Sequence, residues 1–296
     1  MFLVSVIGQK YGDIAFLRKD GCVRPLLDVI IFTASVISAY IIIQFLGYDQ
    51  FFKVVPFYGS VPNGACGGTL GHPLFVGTFL AMAIPSAIYR RKYVHLALIA
   101  FSICLTVSQM SICALVCCVL AYYALTSKKR LVWCVLTGVI IAVLSVFAYF
   151  KYDKVRYFVG DGARFSTWTN IVKDLNTSPL EGIKKAYPMT GNGIGSFPVM
   201  YHNKYKGENI AKMLHADGEY FELLYEIGII GFLLLVMAFV SLFRKHRFTE
   251  YSAFVYSSLI ASMVGAFGVY SWHLGAHIFY TLFFIGLAES GGQHGT

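Results

Sequence analysis

Ile227-Gly228-Ile229-Ile230-Gly231-Phe232-Leu233-Leu234-Leu235-Val236-Met237-Ala238-Phe239-Val240-Ser241-Leu242-Phe243, closed by Arg244-Lys245-His246-Arg247, reads as a membrane-crossing helix with a basic stop. Extended back to Phe221, the run reaches the roughly 20 residues that span hydrocarbon as a helix. Its apolar residues are continuous, whereas a barrel strand would alternate over about ten residues. In lipid the backbone must satisfy its own hydrogen bonds, so helices are the remaining choice. Similar runs lie at Leu26–Phe45, Pro73–Tyr89, Val94–Val107, Met110–Leu125, Leu131–Tyr149, Tyr251–Tyr270 and Ala276–Ala288. The polar pivot Thr106-Val107-Ser108-Gln109 turns the chain between the third and fourth. The fold class expected is all-α, a polytopic bundle of about eight spans with one long, partly helical periplasmic loop. Composition agrees: 57% of residues are hydrophobic and 13% charged, against about a quarter charged in soluble domains.

Basic clusters at Lys10–Arg24, Arg90–Lys92, Lys128–Arg130 and Arg244–Arg247 all fall on one side of this arrangement. Short cytoplasmic loops carry such excess, so that side is expected to be cytoplasmic. The segment Lys151–Glu219 then faces outward. The whole chain, 1–296, reads as a single integral-membrane domain, with the periplasmic loop at 150–220 carrying the site. The net charge of +9 belongs to these helix ends, so no nucleic-acid partner is expected. Met1–Ile7 is apolar, short and without a cleavage site, and reads as the stub of an earlier span. The seven cysteines show no zinc spacing, so no metal is expected. No internal repeat supports an inverted-repeat transporter.

The long loop has the anchors of an ordered segment: Trp168, Tyr187, Phe197, Tyr201 and Tyr205. Asp174, Asn176, Thr177 and Ser178 before Pro179 mark a helix end, and Gly191-Asn192-Gly193-Ile194-Gly195 marks a tight, backbone-exposing turn. The glycine turn is not a Rossmann or P-loop match, because the strand–turn–helix context is missing.

His215-Ala216-Asp217-Gly218-Glu219-Tyr220-Phe221-Glu222-Leu223-Leu224-Tyr225-Glu226 holds the densest set of ionisable groups. As a helix it would align His215, Glu219, Glu222 and Glu226 in one polar stripe entering the membrane. Ionisable groups at that depth face a wet cavity or a partner. Glu226 fits such a role, whereas Glu219 is expected to stay in headgroup water. Gly228 and Gly231 are expected to admit a neighbouring helix. His215 or Asp217 could accept a proton. Arg164 in Gly162-Ala163-Arg164-Phe165-Ser166-Thr167-Trp168 offers a guanidinium fork for phosphate, or else snorkels to the interface. Lys154, Arg156, Lys184 and Lys185 add positive charge that would attract an anionic substrate.

These motifs in order resemble the O-antigen ligase and O-antigen polymerase superfamily. The resemblance rests on Arg164 and Trp168, on Pro188–Phe197, and on His215–Gly231, with further similarity at Gly71–Ala81 and Leu105–Gln109. It covers roughly residues 60 to 243. It implies a metal-free, cofactor-free glycosyltransferase of the bacterial inner membrane. The donor implied is an undecaprenyl-diphosphate-linked glycan. The acceptor implied is lipid A core, another glycan or a protein. Membrane lipids surround the chain. By the resemblance His215 and Asp217 are catalytic. Arg164, Trp168, Lys184, Lys185, Glu222 and Glu226 bind substrate. Asp217 and Gly218 stand where members commonly have His and Asn, and Gln109 where many have Arg. Members usually have more spans than this chain, which fits an N-terminally shortened one. Rival readings are a protein O-oligosaccharyltransferase, a flippase or transporter for polyprenyl-linked glycans with Asp28 and Glu226 as its intramembrane charges, and an inactive homologue.

Overall fold

The computed structural model describes residues 23–48, 66–127, 162–176, 189–201, 215–244 and 249–292. The described secondary structure is helical throughout: α1 (Val23–Phe45), α2 (Pro73–Tyr89), α3 (Tyr93–Leu105), α4 (Gln109–Thr126), α5 (Gly162–Asn176), α6 (Glu219–Arg244), α7 (Glu250–Gly265) and α8 (Gly275–Gly292). Short turns at Gly68–Leu70, Phe197–Tyr201 and Ser271–His273 complete it. The all-α expectation therefore holds. Among the described residues α1, α4 and α6 are long and apolar enough to cross a membrane, and α2, α3 and Gly275–Glu289 are shorter apolar helices. The expected run Leu131–Tyr149 lies outside the described residues, as do Lys184, Lys185, Tyr187 and Tyr205.

The chain divides into two compact units. In the first, α2 is the central helix. Leu74, Val76, Phe79–Ala83 and Ala87 are all buried, so it has neighbours on every side. It starts at Pro73, whose missing N–H costs nothing there, and the His72 ring accepts from Leu74 N at 3.2 Å. α4 and α7 pack on α2 and on each other, α3 packs on α1 and α2, and α8 on α7. Small residues set these approaches. A Cβ on Gly77 would collide with the Ser111 side chain, and one on Gly265 would lie 3.0 Å from Thr78. The pivot forms as expected, with Val107 in a left-handed conformation and the Ser108 hydroxyl capping α4 at Ser111 N. Large apolar side chains such as Val29, Phe32 and Phe101 stay exposed, as a lipid-facing surface requires.

Asp28 is not a free intramembrane charge. Both its oxygens accept from Arg90, at 2.9 and 3.2 Å, tying α1 to the end of α2. The pair is partly exposed, 22% for Arg90 and 42% for Asp28, so it contributes about 0–1 kcal/mol. Asp28→Asn is expected to lower thermal stability slightly and to leave activity near the parental level. A transport mechanism through Asp28 requires the opposite, loss of function with stability kept.

In the second unit, residues 134–244 and 266–273, Ile171, Phe197, Tyr201, Ala216 and Tyr225 form a buried core with Met200 and Phe221 against it. Phe197 and Tyr201 stack at 4.7 Å and Tyr225 meets Phe197 edge-on. Of the loop anchors, Phe197 and Tyr201 thus lie in a core rather than a solvated tail.

Candidate functional site

The site grows from the start of α6. The continuous helical stripe expected from His215 to Glu226 is corrected at its head, and the helix is interrupted just beyond its end. The helix begins at Glu219, so His215 sits before it in an irregular turn with Asp217 at φ 50. At Gly228 (φ 67, ψ −175) the helix breaks. That backbone region is essentially confined to glycine.

The glycine turn fills the break. In an unbroken helix Ile230 N would reach Glu226 O; here it donates to Met189 O at 3.1 Å. Glu226 O instead accepts from Gly193 N at 2.9 Å, and Tyr225 O accepts from the Asn192 backbone and side-chain nitrogens at 3.2 and 3.1 Å. Any Cβ on Gly191 would strike the Glu226 carbonyl, and one on Gly228 would strike the Gly191 backbone. Gly228 therefore admits a loop, not the neighbouring helix expected from sequence. A Cβ on Gly231 would meet Ile227 of its own helix, 2.8 Å away.

The docked loop reaches Glu226. This carboxylate is 1% exposed, and its Oε1 accepts from Phe197 N at 3.2 Å. Its Oε2 has no hydrogen-bond partner among the described residues. Glu219 is also 1% exposed, which corrects the expectation that it stays in headgroup water. Its Oε1 lies 2.9 Å from His273 Nδ1 and its Oε2 accepts from Trp272 N at 3.1 Å.

Glu222, again 1% exposed, holds His215. Its Oε1 lies 2.9 Å from His215 Nδ1 and its Oε2 accepts from Ala216 N at 2.9 Å. An ionised carboxylate only accepts, so the Nδ1 of His215 is the donor in this contact. The ring stacks on Tyr270 at 4.0 Å and its side chain remains 29% exposed. The carboxylate on this histidine is thus Glu222.

His273 completes the cluster. Its ring lies 5.5 Å from that of His215, and its Nε2 is 3.8 Å from Glu222 Oε1. The bond to Glu219 raises its pKa to about 9 against the opposing effect of burial. Folding favours its charged form, so the stabilisation is full below the ordinary histidine value near 6.5 and is lost as pH rises through about 9.

Trp168 joins α5 to this cluster. Its Nε1 donates to Ala216 O at 2.8 Å and its ring stacks on Phe221 at 4.7 Å. Arg164 lies one helical turn before Trp168 in α5, and its side chain is outside the described residues. The structure thus brings together His215, Glu222, Glu226 and Trp168, four residues singled out from sequence. Sequence reading missed His273 and undervalued Glu219. The signal available was Ser271-Trp272-His273, a polar interruption after the seventh apolar run. That run is shorter than expected: α7 stops at Gly265, because Ala266 O accepts from Glu219 N at 2.9 Å and Phe267 packs on Tyr220.

Residues 94–236 match the family model described as O-antigen ligase, from α3 through most of α6. No curated protein matches the chain.

Proposed function

We propose that this chain, a member of the O-antigen ligase and polymerase superfamily, transfers a glycan from an undecaprenyl-diphosphate carrier to an acceptor hydroxyl on the outer face of the bacterial inner membrane. The family supports the coarser reading, a glycan-transferring membrane enzyme. The observation that carries the finer one is His215, held at Nδ1 by buried Glu222 with its side chain 29% exposed. Its topology is the one that the basic clusters support. There are about eight spans, both termini are cytoplasmic, and the 150–220 segment lies outside.

Diphosphate is a good leaving group, so the protein must supply charge stabilisation and a base. The acceptor oxygen forms its bond to the anomeric carbon as the bond from that carbon to the phosphate oxygen breaks. The bonding pair leaves with the diphosphate, and the hydroxyl proton passes to His215 Nε2. A single displacement inverts the anomeric centre. Arg164 holds the departing diphosphate, with Lys184 and Lys185 as further cations. Trp168 ties the Arg164 helix to Ala216, the residue next to the base. Asp217 shares the His215 turn and is the alternative base. No metal or nucleotide takes part in these steps.

The test is transfer from a synthetic undecaprenyl-diphosphate glycan by the purified protein, offered lipid A core, a glycan and a protein acceptor in parallel. Removal of one stabilising donor from such a site costs roughly 10²–10³ in turnover, and Arg164→Ala is expected to fall in that range with the fold intact. Parental turnover in this variant removes the phosphate role. Acceptance of the protein alone favours the O-oligosaccharyltransferase reading.

A further inference from the structure

Two carboxylates, Glu219 and Glu222, are each 1% exposed at the head of α6. Two buried anions side by side are strongly unfavourable without a cation. Two imidazoles, His215 and His273, are close enough to supply one, and the geometry distinguishes them. His273 meets a carboxylate at each ring nitrogen, Nδ1 at 2.9 Å from Glu219 Oε1 and Nε2 at 3.8 Å from Glu222 Oε1. Carboxylates only accept, so Nδ1 is a donor, and the second carboxylate at ion-pair distance from Nε2 favours a proton there as well, the imidazolium form. His215 meets a carboxylate at Nδ1 alone and stacks its face on Tyr270.

We propose that His273 is a positioning residue: it takes the positive charge that Glu219 and Glu222 require, and so leaves His215 neutral with Nε2 free to accept a proton. The consequence for turnover rests on His215 acting as the base, but the allotment of the proton does not. His273 lies outside residues 94–236, the segment the family model matches. Its raised affinity for a proton, to about 9 through the Glu219 bond, agrees with the geometry. Among the described residues the other titratable groups around the cluster are Glu226 on α6, Asp217 in the His215 turn, Tyr270 against His215, and Tyr220, which packs on Trp272. Among the described residues, the nearby cation available to Glu222 without His273 is His215 itself. Protonation there would consume the lone pair that transfer needs.

The experiment is a pH titration of the full-length protein in lipid nanodiscs, with nitrogen-15 in the imidazole rings. His215→Gln and His273→Gln assign the signals. In the parent protein His273 is expected to titrate near 9, and His215 to show the signature of an Nδ1–H tautomer. Removing a cation at this range shifts a neighbour by roughly one pH unit or more, so His273→Gln is expected to move the His215 midpoint upward by that amount. The acid limb of kcat/KM should move with it, and His273→Lys should return both toward parental values. A merely structural role would not be rescued by a lysine. His215 titrating above His273 in the parent overturns the proposal, and this order can be read even where His273→Gln fails to fold. An unmoved His215 midpoint in folded His273→Gln overturns it equally. Full transfer by His215→Ala would instead remove the base assignment while leaving these titrations in place.

Discussion

His215→Ala is expected to lower the turnover of glycan transfer by roughly 10²–10⁴, the usual contribution of a positioned general base, while the protein stays folded. The reasoning starts from Glu222. Its two oxygens are committed to His215 Nδ1 and to Ala216 N, both at 2.9 Å, so the ring is held in one tautomer and one direction. Alanine removes the proton acceptor but keeps the Ala216 bond, the Trp168 bond to Ala216 O at 2.8 Å and the stacking of Trp168 on Phe221. Melting temperature in detergent should therefore change little compared with turnover. Asp217→Asn is the informative companion. Asp217 adopts φ 50, a conformation asparagine also tolerates, so this variant should keep its local backbone and most of its activity. Loss in Asp217→Asn with retention in His215→Ala would transfer the base role to the aspartate.

Gly228→Val should lower the melting temperature and abolish most transfer, although residue 228 touches no proposed substrate. Gly228 has φ 67 and ψ −175, a region that costs a side-chain-bearing residue about 1–3 kcal/mol in backbone strain alone. The added Cβ also meets the Gly191 backbone and lies 2.6 Å from Met189 O. Backbone cannot move aside as a flexible side-chain tip can. The variant must either expel the loop at Met189–Phe197 or close the helix across the break. Either way Met189 O, Asn192 N and Gly193 N lose their partners on α6, and Glu226 Oε1 loses Phe197 N. Limited proteolysis should reveal a newly accessible loop in the variant. Parental melting, proteolysis and turnover together would mean that the splice between loop and helix has no functional weight.

Helices were readable from sequence because their causes are local. The α2 boundaries, Pro73 and Tyr89, follow from a proline start and from the basic stop Arg90-Arg91-Lys92. The end of α5 at Asn176 follows from the Asn-Thr-Ser-Pro stop. The density of Glu219, Glu222 and Glu226 around one helix start likewise stood out without coordinates. The end of α7 was misjudged because residues 266–270 are apolar enough to continue a helix. They leave it because the start of α6 offers them hydrogen bonds and ring contacts.

Composition and periodicity were enough to establish a helical membrane protein, its principal apolar segments and the acidic stripe at Glu219–Glu226. Three-dimensional folding was needed to pair Glu219 with His273, to set Glu222 on His215, and to turn Gly228 from a helix-packing residue into a socket for the glycine loop. The division has a physical cause. Hydropathy and helix period act over a few turns, so neighbouring residues record them. Partners separated by some fifty positions, such as Glu219 and His273, meet through chain closure, which leaves no periodic trace in either segment.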